Sequence, residues 1–128
     1  KLIYLSNLAY AYFMLDMDDE GKKIVEKYEK KFIKAIKRNE NAKEFCLTLA
    51  MYYFKKKEYI KSLDFIKNGK NAGGLLYTDE RLSVHAAWIN ALAGKKDEAS
   101  KELFTVINKS QFPGIKAFAQ MVFDNTLY

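Results

Sequence analysis

The sequence is poor in the residues that most catalytic and metal sites require. It has 128 residues, of which one is histidine, His85, and one is cysteine, Cys46. A lone histidine cannot build a histidine-rich metal site or a proton relay of two histidines. A lone cysteine excludes an internal disulfide, which is typical of proteins from a reducing compartment. We therefore expect no catalytic residue, no metal and no cofactor, and we expect a cytoplasmic location.

Proline, glycine and long apolar runs are also scarce. There is one proline, Pro113, and there are six glycines. The chain has no run of about 18 apolar residues and no secretion signal at its N-terminus. With 49% hydrophobic and 30% charged residues, it can bury one core. We expect a single soluble domain over residues 1–128. The alternative, because the chain begins at Lys1 instead of Met, is the soluble domain of a larger protein, with or without a membrane anchor.

Arginine is nearly absent, although the net charge is +6. Arg38 and Arg81 are the two arginines, and the remaining positive charge is lysine. Lysine lacks the planar fork that suits phosphate and guanine, and here lysines alternate with acidic residues along the chain. Nucleic acid and anionic membranes require positive charge that clusters on one face. The composition therefore favours a solvated lysine-rich surface over binding to nucleic acid or membrane.

Helical periodicity covers nearly the whole chain, and the alternation typical of strands is absent. The sequence therefore predicts an all-α protein. Gly94 favours the end of a helix because glycine readily adopts positive φ, and so does the pair Gly73 and Gly74. The side chains of Thr78 and Asp79 are suited to cap the helix that follows. The predicted helices span residues 2–15, 19–38, 41–56, 58–71, 79–93, 96–109 and 113–125.

Three segments of the chain repeat one pattern. They are LSNLAYAY, CLTLAMYY and SVHAAWIN, and they align at the small residues Ala9, Ala50 and Ala87. A small residue lets two helix backbones approach closely. A short polar turn follows, after which the next helix again presents a small residue, Ser62 or Ala99. The sequence therefore predicts repeated helical hairpins.

At these positions the chain resembles the tetratricopeptide repeat family. The second repeat matches the family pattern at Cys46, Leu49, Ala50, Tyr53, Tyr59 and Ser62, and the third at Ala86, Ala87, Gly94 and Ala99. Asn90 replaces the usual tyrosine, Gly21 replaces the usual alanine, and no repeat ends in proline. The resemblance implies an α-solenoid of three antiparallel helix-turn-helix repeats, near residues 2–38, 41–72 and 79–109. A C-terminal helix near 113–125 and a right-handed superhelix are implied as well.

The resemblance also implies a binding surface, because the first helices of successive repeats in that family line a concave groove for peptides or protein segments. Carried over position by position, the groove is aromatic and methionine-rich and consists of Tyr10, Phe13, Met14, Leu47, Met51, Phe54, Lys55, Arg81, Val84 and Trp88. The alternative is that a capping helix, a further repeat or a second copy of the chain covers this apolar stripe. The apolar C-terminal helix is the expected contact for a homodimer or for further repeats.

The acidic turn DMDDEG matches the first half of a calcium-binding loop. Asp16, Asp18 and Glu20 occupy ligand positions, but Lys27 stands where the motif needs a glutamate. The sequence therefore predicts a negative cluster that stabilises the start of the following helix.

Together these features predict a noncatalytic scaffold that binds a peptide or protein segment. Two alternatives remain open. One is a basic helical module that binds nucleic acid or an anionic membrane surface, which the interspersed acidic residues disfavour. The other, by analogy with the family, is the peptide-sensing domain of a bacterial regulator, which would need a DNA-binding domain before Lys1.

Overall fold

The computed structural model describes residues 1–127, which form seven α-helices and no β-strand. The helices are α1 (Leu2–Met14), α2 (Asp18–Lys37), α3 (Ala42–Lys55), α4 (Tyr59–Asn71), α5 (Leu76–Leu92), α6 (Lys96–Lys109) and α7 (Pro113–Thr126). The prediction of an all-α protein is confirmed, and six helices begin and end within one residue of their predicted bounds. The superhelical arrangement and its right hand stay predictions. Over the same residues, no helix is both long and apolar enough to traverse a bilayer.

The fifth helix starts three residues earlier than predicted. Thr78 and Asp79 therefore lie inside α5 instead of capping it, and that prediction is wrong. Tyr77 explains the longer helix. Its ring packs edge-on against Phe112 with 5.2 Å between centroids, and the Arg81 guanidinium lies 4.8 Å from its centroid. These contacts stabilise a helix that begins at Leu76. Their contribution is larger than that of side-chain caps from Thr78 and Asp79, which would favour a later start.

The boundary between α5 and α6 is as predicted. Gly94 follows the end of α5 with a φ of +86°, a conformation that favours glycine. Asp97 and Glu98 lie in the first turn of α6, where negative charge complements the helix dipole. These signals are local, so the sequence alone is sufficient to locate them.

The chain consists of two compact units. Unit 1 is Lys1–Leu75 and contains α1 to α4, and unit 2 begins at Leu76 and contains α5 to α7. In unit 1, α3 is the central helix because it packs against α1, α2 and α4. Its side chains at residues 45–53 are all buried. The prediction of one domain over residues 1–128 stays a prediction, and its last residue, Tyr128, lies outside the described residues.

Small residues lie where the two helices of each hairpin meet. They are Ala9, Ala50 and Ala87 on the first helices and Gly21, Ser62 and Ala99 on the second, and all six are buried. Gly21 departs from the alanine of the family pattern for a steric reason. A Cβ at this position would lie 2.6 Å from Cε1 of Phe13, whose ring is fully buried. Only a hydrogen fits between α2 and that ring.

Unit 1 also contains buried polar contacts between its helices. Ser6 Oγ of α1 donates to Thr48 Oγ1 of α3 at 2.7 Å, and Thr48 Oγ1 donates to the Ser6 carbonyl at 3.0 Å. Lys43 is only 3% exposed, and its Nζ donates to the Gly69 carbonyl at 2.7 Å. The Gly69 carbonyl lies in the last turn of α4 and also accepts from the Ala72 N–H at 3.2 Å. Hydrogen bonding thus offsets the cost of burying these polar groups.

In unit 2, α7 packs against both α5 and α6 around one apolar core. The core consists of Val84, Ala87, Ala91, Ala99, Leu103, Val106, Ile115, Ala119 and Val122. Ser110 holds the connection between α6 and α7, because its hydroxyl donates to Glu80 Oε1 at 2.6 Å and accepts from the Phe112 N–H at 3.1 Å. The C-terminal helix therefore has partners inside its own unit. A further contact of α7 with a second copy or with more repeats stays a prediction.

Candidate functional site

Most of the predicted groove residues in unit 1 are buried. Those at 6% exposure or less are Tyr10, Phe13, Leu47 and Met51. The partly exposed ones are Met14, Phe54 and Lys55. Phe13 belongs to the core, because its ring lies against Gly21 and 6.0 Å from the ring of Tyr52. These four buried residues therefore correspond to the alternative expectation, an apolar stripe that is covered, and not to an open groove.

Lys55, the predicted charged anchor, is paired inside unit 1. Its Nζ donates to Asp16 Oδ1 at 2.5 Å and lies 3.4 Å from Asp18 Oδ1. The hydrogen bond and the charge of Lys55 lower the pKa of Asp16 below its ordinary value of 3.8. Partial burial disfavours the charged form of Lys55, but the two carboxylates outweigh it and raise the pKa of this lysine. Lys55 thus ties the end of α3 to the turn between α1 and α2.

The acidic turn that Lys55 contacts has a structural role. Asp16 has a φ of +59°, and Asp18, Asp19 and Glu20 form the first turn of α2. Negative charge at this point stabilises the positive end of the helix dipole, as the sequence predicts. Among residues 1–127, no group of three or more histidine, cysteine, aspartate or glutamate side chains is placed to hold a metal ion.

The predicted groove residues of unit 2 divide between core and surface. Val84 is fully buried in the core, whereas Arg81 and Trp88 are partly exposed. Trp88 packs edge-on against Phe118 of α7, with 6.2 Å between centroids and 76° between ring planes. Arg81 lies over Tyr77, which itself packs on Phe112. The structure thus brings two predicted residues together with three aromatic residues outside the predicted set.

We define the α5–α7 aromatic face as the five partly exposed residues Tyr77, Arg81, Trp88, Phe112 and Phe118. Nearby on the same two helices, Leu92 is 50% exposed and Met121 is 38% exposed. The sequence offers a signal for Phe118, because α7 repeats the apolar spacing of the first helices. It offers none for Tyr77, which the sequence leaves in a loop. The face is therefore only partly predictable.

His85 forms a buried layer beneath two of these rings. It is 3% exposed, stacks on Trp88 at 6.0 Å and meets Phe118 edge-on at 5.1 Å. Burial and, secondarily, the positive charge of Arg81 lower the pKa of His85 to about 3. The imidazole is thus neutral near pH 7 and serves as a packing surface for the exposed rings.

The cysteine of unit 1 is buried as well. Burial raises the pKa of the Cys46 thiol to about 11. Near neutral pH the thiol stays protonated, and a protonated thiol is a weak nucleophile.

Helix α2 presents a second surface, which the sequence interpretation missed. Seven cationic side chains lie on one side of it and all are exposed: Lys23, Lys27, Lys30, Lys31, Lys34, Lys37 and Arg38. We call this set the α2 basic face. Along the sequence of α2 the lysines are interspersed with acidic residues, as expected, but on the helix these cations share one side. The signal is present in the sequence, but it emerges only when positions are placed around a helix of about 3.6 residues per turn.

No protein-family model matches the chain, and neither does any curated protein or solved structure. The resemblance to tetratricopeptide repeats therefore stays a prediction. Function has to be inferred from the two surfaces themselves, the α5–α7 aromatic face of unit 2 and the α2 basic face of unit 1.

Proposed function

We propose that the chain is a noncatalytic interaction module that binds a segment of another protein on the α5–α7 aromatic face. The observation that supports this function is the pair Trp88 and Phe118, two large rings from different helices that pack edge-on and are both partly exposed. The few residues that dominate the binding energy at protein interfaces are enriched in tryptophan, tyrosine and arginine. All three occur on this face, which favours binding over a merely solvated surface.

The face is organised before any partner binds. His85 supports the rings of Trp88 and Phe118 from the interior, and Tyr77 is held by Phe112 on one side and Arg81 on another. Rings that are already fixed lose little conformational entropy on binding, so more of the contact energy becomes affinity. A preorganised aromatic surface is thus suited to a short apolar segment.

The length of the face sets the size of the segment. From Tyr77 to Trp88 the helix rises about 16 Å, at about 1.5 Å per residue. An extended peptide covers this distance with about five residues. Met121, which is exposed on α7, has a flexible side chain that can adapt to different partners. The partner is therefore proposed to contribute a short segment rich in apolar side chains.

Trp88 offers a direct measurement because it is the only tryptophan in the sequence. Peptides selected on the chain from a random display library are expected to change the Trp88 fluorescence when they bind. The variant Phe118→Ala removes the ring that contacts Trp88 and is expected to weaken these peptides by about tenfold or more. Circular dichroism should show that the variant keeps the helical content of the parent.

Tyr4→Ala is the matched control. Tyr4 is an aromatic residue of α1 that is 67% exposed and lies outside the face. Its loss is expected to change the peptide affinity by less than about twofold. The proposal is wrong if the selected peptides bind parent and Phe118→Ala equally, or if their binding leaves the Trp88 emission unchanged.

Peptide sensing in a bacterial regulator is a narrower form of the same function. Only the family resemblance supports this narrower function. The α5–α7 aromatic face does not favour it, because the face is equally suited to other protein segments. We therefore propose the broader function.

A further inference from the structure

The α2 basic face is a straight row of positive charge. Its members recur every three or four residues from Lys23 to Arg38, which places them on one side of the helix. At about 1.5 Å per residue the row is about 22 Å long. In the described part of the chain, none of the seven side chains forms a salt bridge. Salt bridges within the described residues therefore do not neutralise the positive charge of the row.

Two carboxylates of α2 are engaged on the side of the helix that faces α3. Glu26 accepts a hydrogen bond from the Tyr52 hydroxyl at 3.3 Å, and Glu29 accepts one from the Tyr53 hydroxyl. Both tyrosines belong to α3 and are buried. These hydrogen bonds hold the two carboxylates beside α3, and among the described residues neither of them forms a salt bridge with the row.

The helix dipole explains only one end of the row. Lys34 and Lys37 lie in the last turn of α2, where cations stabilise a helix. Lys23, Lys27 and Lys30 lie in earlier turns, where the dipole does not favour a cation. The row as a whole thus needs another explanation.

The second helices of the other hairpins carry no such row. Helix α4 has three lysines and one aspartate, and α6 has three lysines and three acidic residues. The row contributes seven positive charges to a chain whose net charge is +6, so the remainder is close to neutral. Helix α2 has seven lysines and five acidic residues, so its net charge of +2 equals that of α4. What distinguishes α2 is that its cations lie on one side of the helix.

A shallow depression adjoins the C-terminal half of the row. Its volume is about 210 Å³, and it is lined by Leu2, Lys31, Lys34, Ala35, Arg38 and Glu40. Three cations of the row and one carboxylate, that of Glu40, therefore line one concave spot beside the start of α1, and its net charge is positive. Convergent cations around a concavity are a suitable seat for a phosphate group.

We propose that the α2 basic face binds the phosphate backbone of double-stranded nucleic acid without reading its base sequence. A duplex carries one negative charge per 1.7 Å or so, so about 22 Å of it presents about 13 phosphates to seven cations. Six of the seven are lysines, which contact phosphates as point charges but lack the fork that reads guanine. The row lies in unit 1 and the aromatic face in unit 2, and this proposal does not rest on the proposed peptide site.

Two other polyanions fit the row less well. A helix that lies in a membrane interface buries its apolar side in the bilayer. In α2 that side is in the protein core, where Val25 and Phe32 are fully buried. Single strands are held by bases that stack on aromatic rings. Tyr28, the ring beside the row, is covered by the ammonium groups of Lys27 and Lys31 at 5.4 and 5.8 Å from its centroid.

Fluorescence anisotropy with two labelled duplexes of mixed sequence tests the proposal. One duplex is DNA and the other is RNA, and each has about 20 base pairs. The affinity for each is measured at salt concentrations between about 50 and 200 mM. The row variant carries Lys27→Gln, Lys30→Gln, Lys34→Gln and Lys37→Gln. The control variant carries Lys67→Gln, Lys101→Gln, Lys109→Gln and Lys116→Gln, four exposed lysines of other helices. Both variants have the same net charge, so only the position of the lost charge differs.

The parent chain is expected to bind, with an affinity that falls steeply as salt rises. The row variant should bind at least about tenfold more weakly at about 50 mM salt. Its salt slope should be smaller by about 3.6, since each of the four lost phosphate contacts removes about 0.9. The control should stay within about threefold of the parent. Row-dependent binding of either duplex supports the proposal, and the tighter duplex identifies the natural class.

Three results would overturn the proposal. The first is that the parent binds neither duplex at about 50 mM salt. The second is that the row variant and the control variant lose equal amounts of duplex affinity. The third is that the row binds phosphatidylserine vesicles while the parent binds no duplex. Circular dichroism checks that the variants keep the helical content of the parent. If the row variant does not, the smaller variant with Lys30→Gln and Lys37→Gln takes its place.

Discussion

Units 1 and 2 both have small residues where their hairpin helices meet and both bury apolar side chains, but they differ in the other contacts that join their helices. In unit 1, the buried Ser6–Thr48 pair and the exposed ion pair of Lys55 with Asp16 connect neighbouring helices. In unit 2, an apolar core and the aromatic layer around His85 do so. The surfaces differ in the same sense, since unit 1 exposes a row of cations and unit 2 exposes aromatic rings. The hairpin pattern therefore determines neither the contacts that join the helices nor the residues that are exposed on the surface.

The largest expected difference between the units is their response to acid. His85 has a pKa of about 3 in folded unit 2 and about 6.5 in an unfolded chain. Between these values the unfolded chain binds one more proton, so the stability of unit 2 falls as the pH drops below 6.5 or so, by about 1.4 kcal/mol per pH unit. Urea unfolding followed by Trp88 emission should show a loss of about 2 kcal/mol from pH 6.5 to 5.

The variant His85→Gln is the control for this titration. It keeps a side chain that forms hydrogen bonds but has no proton to gain in this range. Its free energy of unfolding should be nearly independent of pH between 6.5 and 5. An equal loss in parent and variant would show that the acid response of unit 2 has a different origin.

The second expected difference concerns the small residue on the second helix of the hairpin. Gly21→Ala in unit 1 places a Cβ against the buried Phe13 ring, and overpacking of this kind costs about 1–3 kcal/mol. The higher helix propensity of alanine returns up to about 1 kcal/mol. We expect a net loss of about 1–2 kcal/mol in unfolding free energy, measured by urea denaturation with circular dichroism.

The matched change in unit 2 is Ala99→Gly, because Ala99 is the buried small residue at the corresponding place. It should also destabilise, by about 1 kcal/mol, since glycine is the poorer helix former. Stabilisation of unit 1 by Gly21→Ala would mean that propensity outweighs the contact with Phe13. The steric account of Gly21 would then be wrong.

The smallest expected effect is at Lys55. The variant Lys55→Met keeps the apolar stem of the side chain but removes the charge, so the pKa of Asp16, measured by NMR, should rise toward its ordinary value of 3.8. Because the pKa of Asp16 is lowered in the folded state, the ion pair stabilises unit 1 fully above that ordinary value. The stabilisation is lost only as the pH falls through the lowered pKa. If the pKa of Asp16 is the same in parent and variant, the ion pair does not hold this turn in solution.

Helix bounds in both units are largely predictable, because the hydrogen bonds of a helix join residues four positions apart and its stop signals are local. Gly94 ends α5 where its conformational freedom predicts. The start of α5 is the exception, since Tyr77 is held in the helix by Phe112, which is distant in sequence. A local capping signal at Thr78 cannot account for such a contact.

The candidate sites are less predictable than the helices. Arg81 and Trp88 belong to both the predicted groove and the α5–α7 aromatic face, whereas Leu47 and Met51 belong to the groove prediction but are buried. Helical periodicity identifies an apolar stripe, but it does not say which helix covers that stripe. The α2 basic face differs in this respect, because the helical spacing of its cations can be read from the sequence without knowledge of how the helices pack.

The sequence alone accounts for the seven helices, for the small residues at the hairpin contacts and for the row of cations on α2. Each is a property of residues within a few turns of one helix. The packing of the helices accounts for the rest: the need for glycine at Gly21, the pairing of Lys55 and the meeting of Trp88 with Phe118. These features depend on contacts between side chains from different helices, and the spacing of residues within one helix carries no information about which partner it meets.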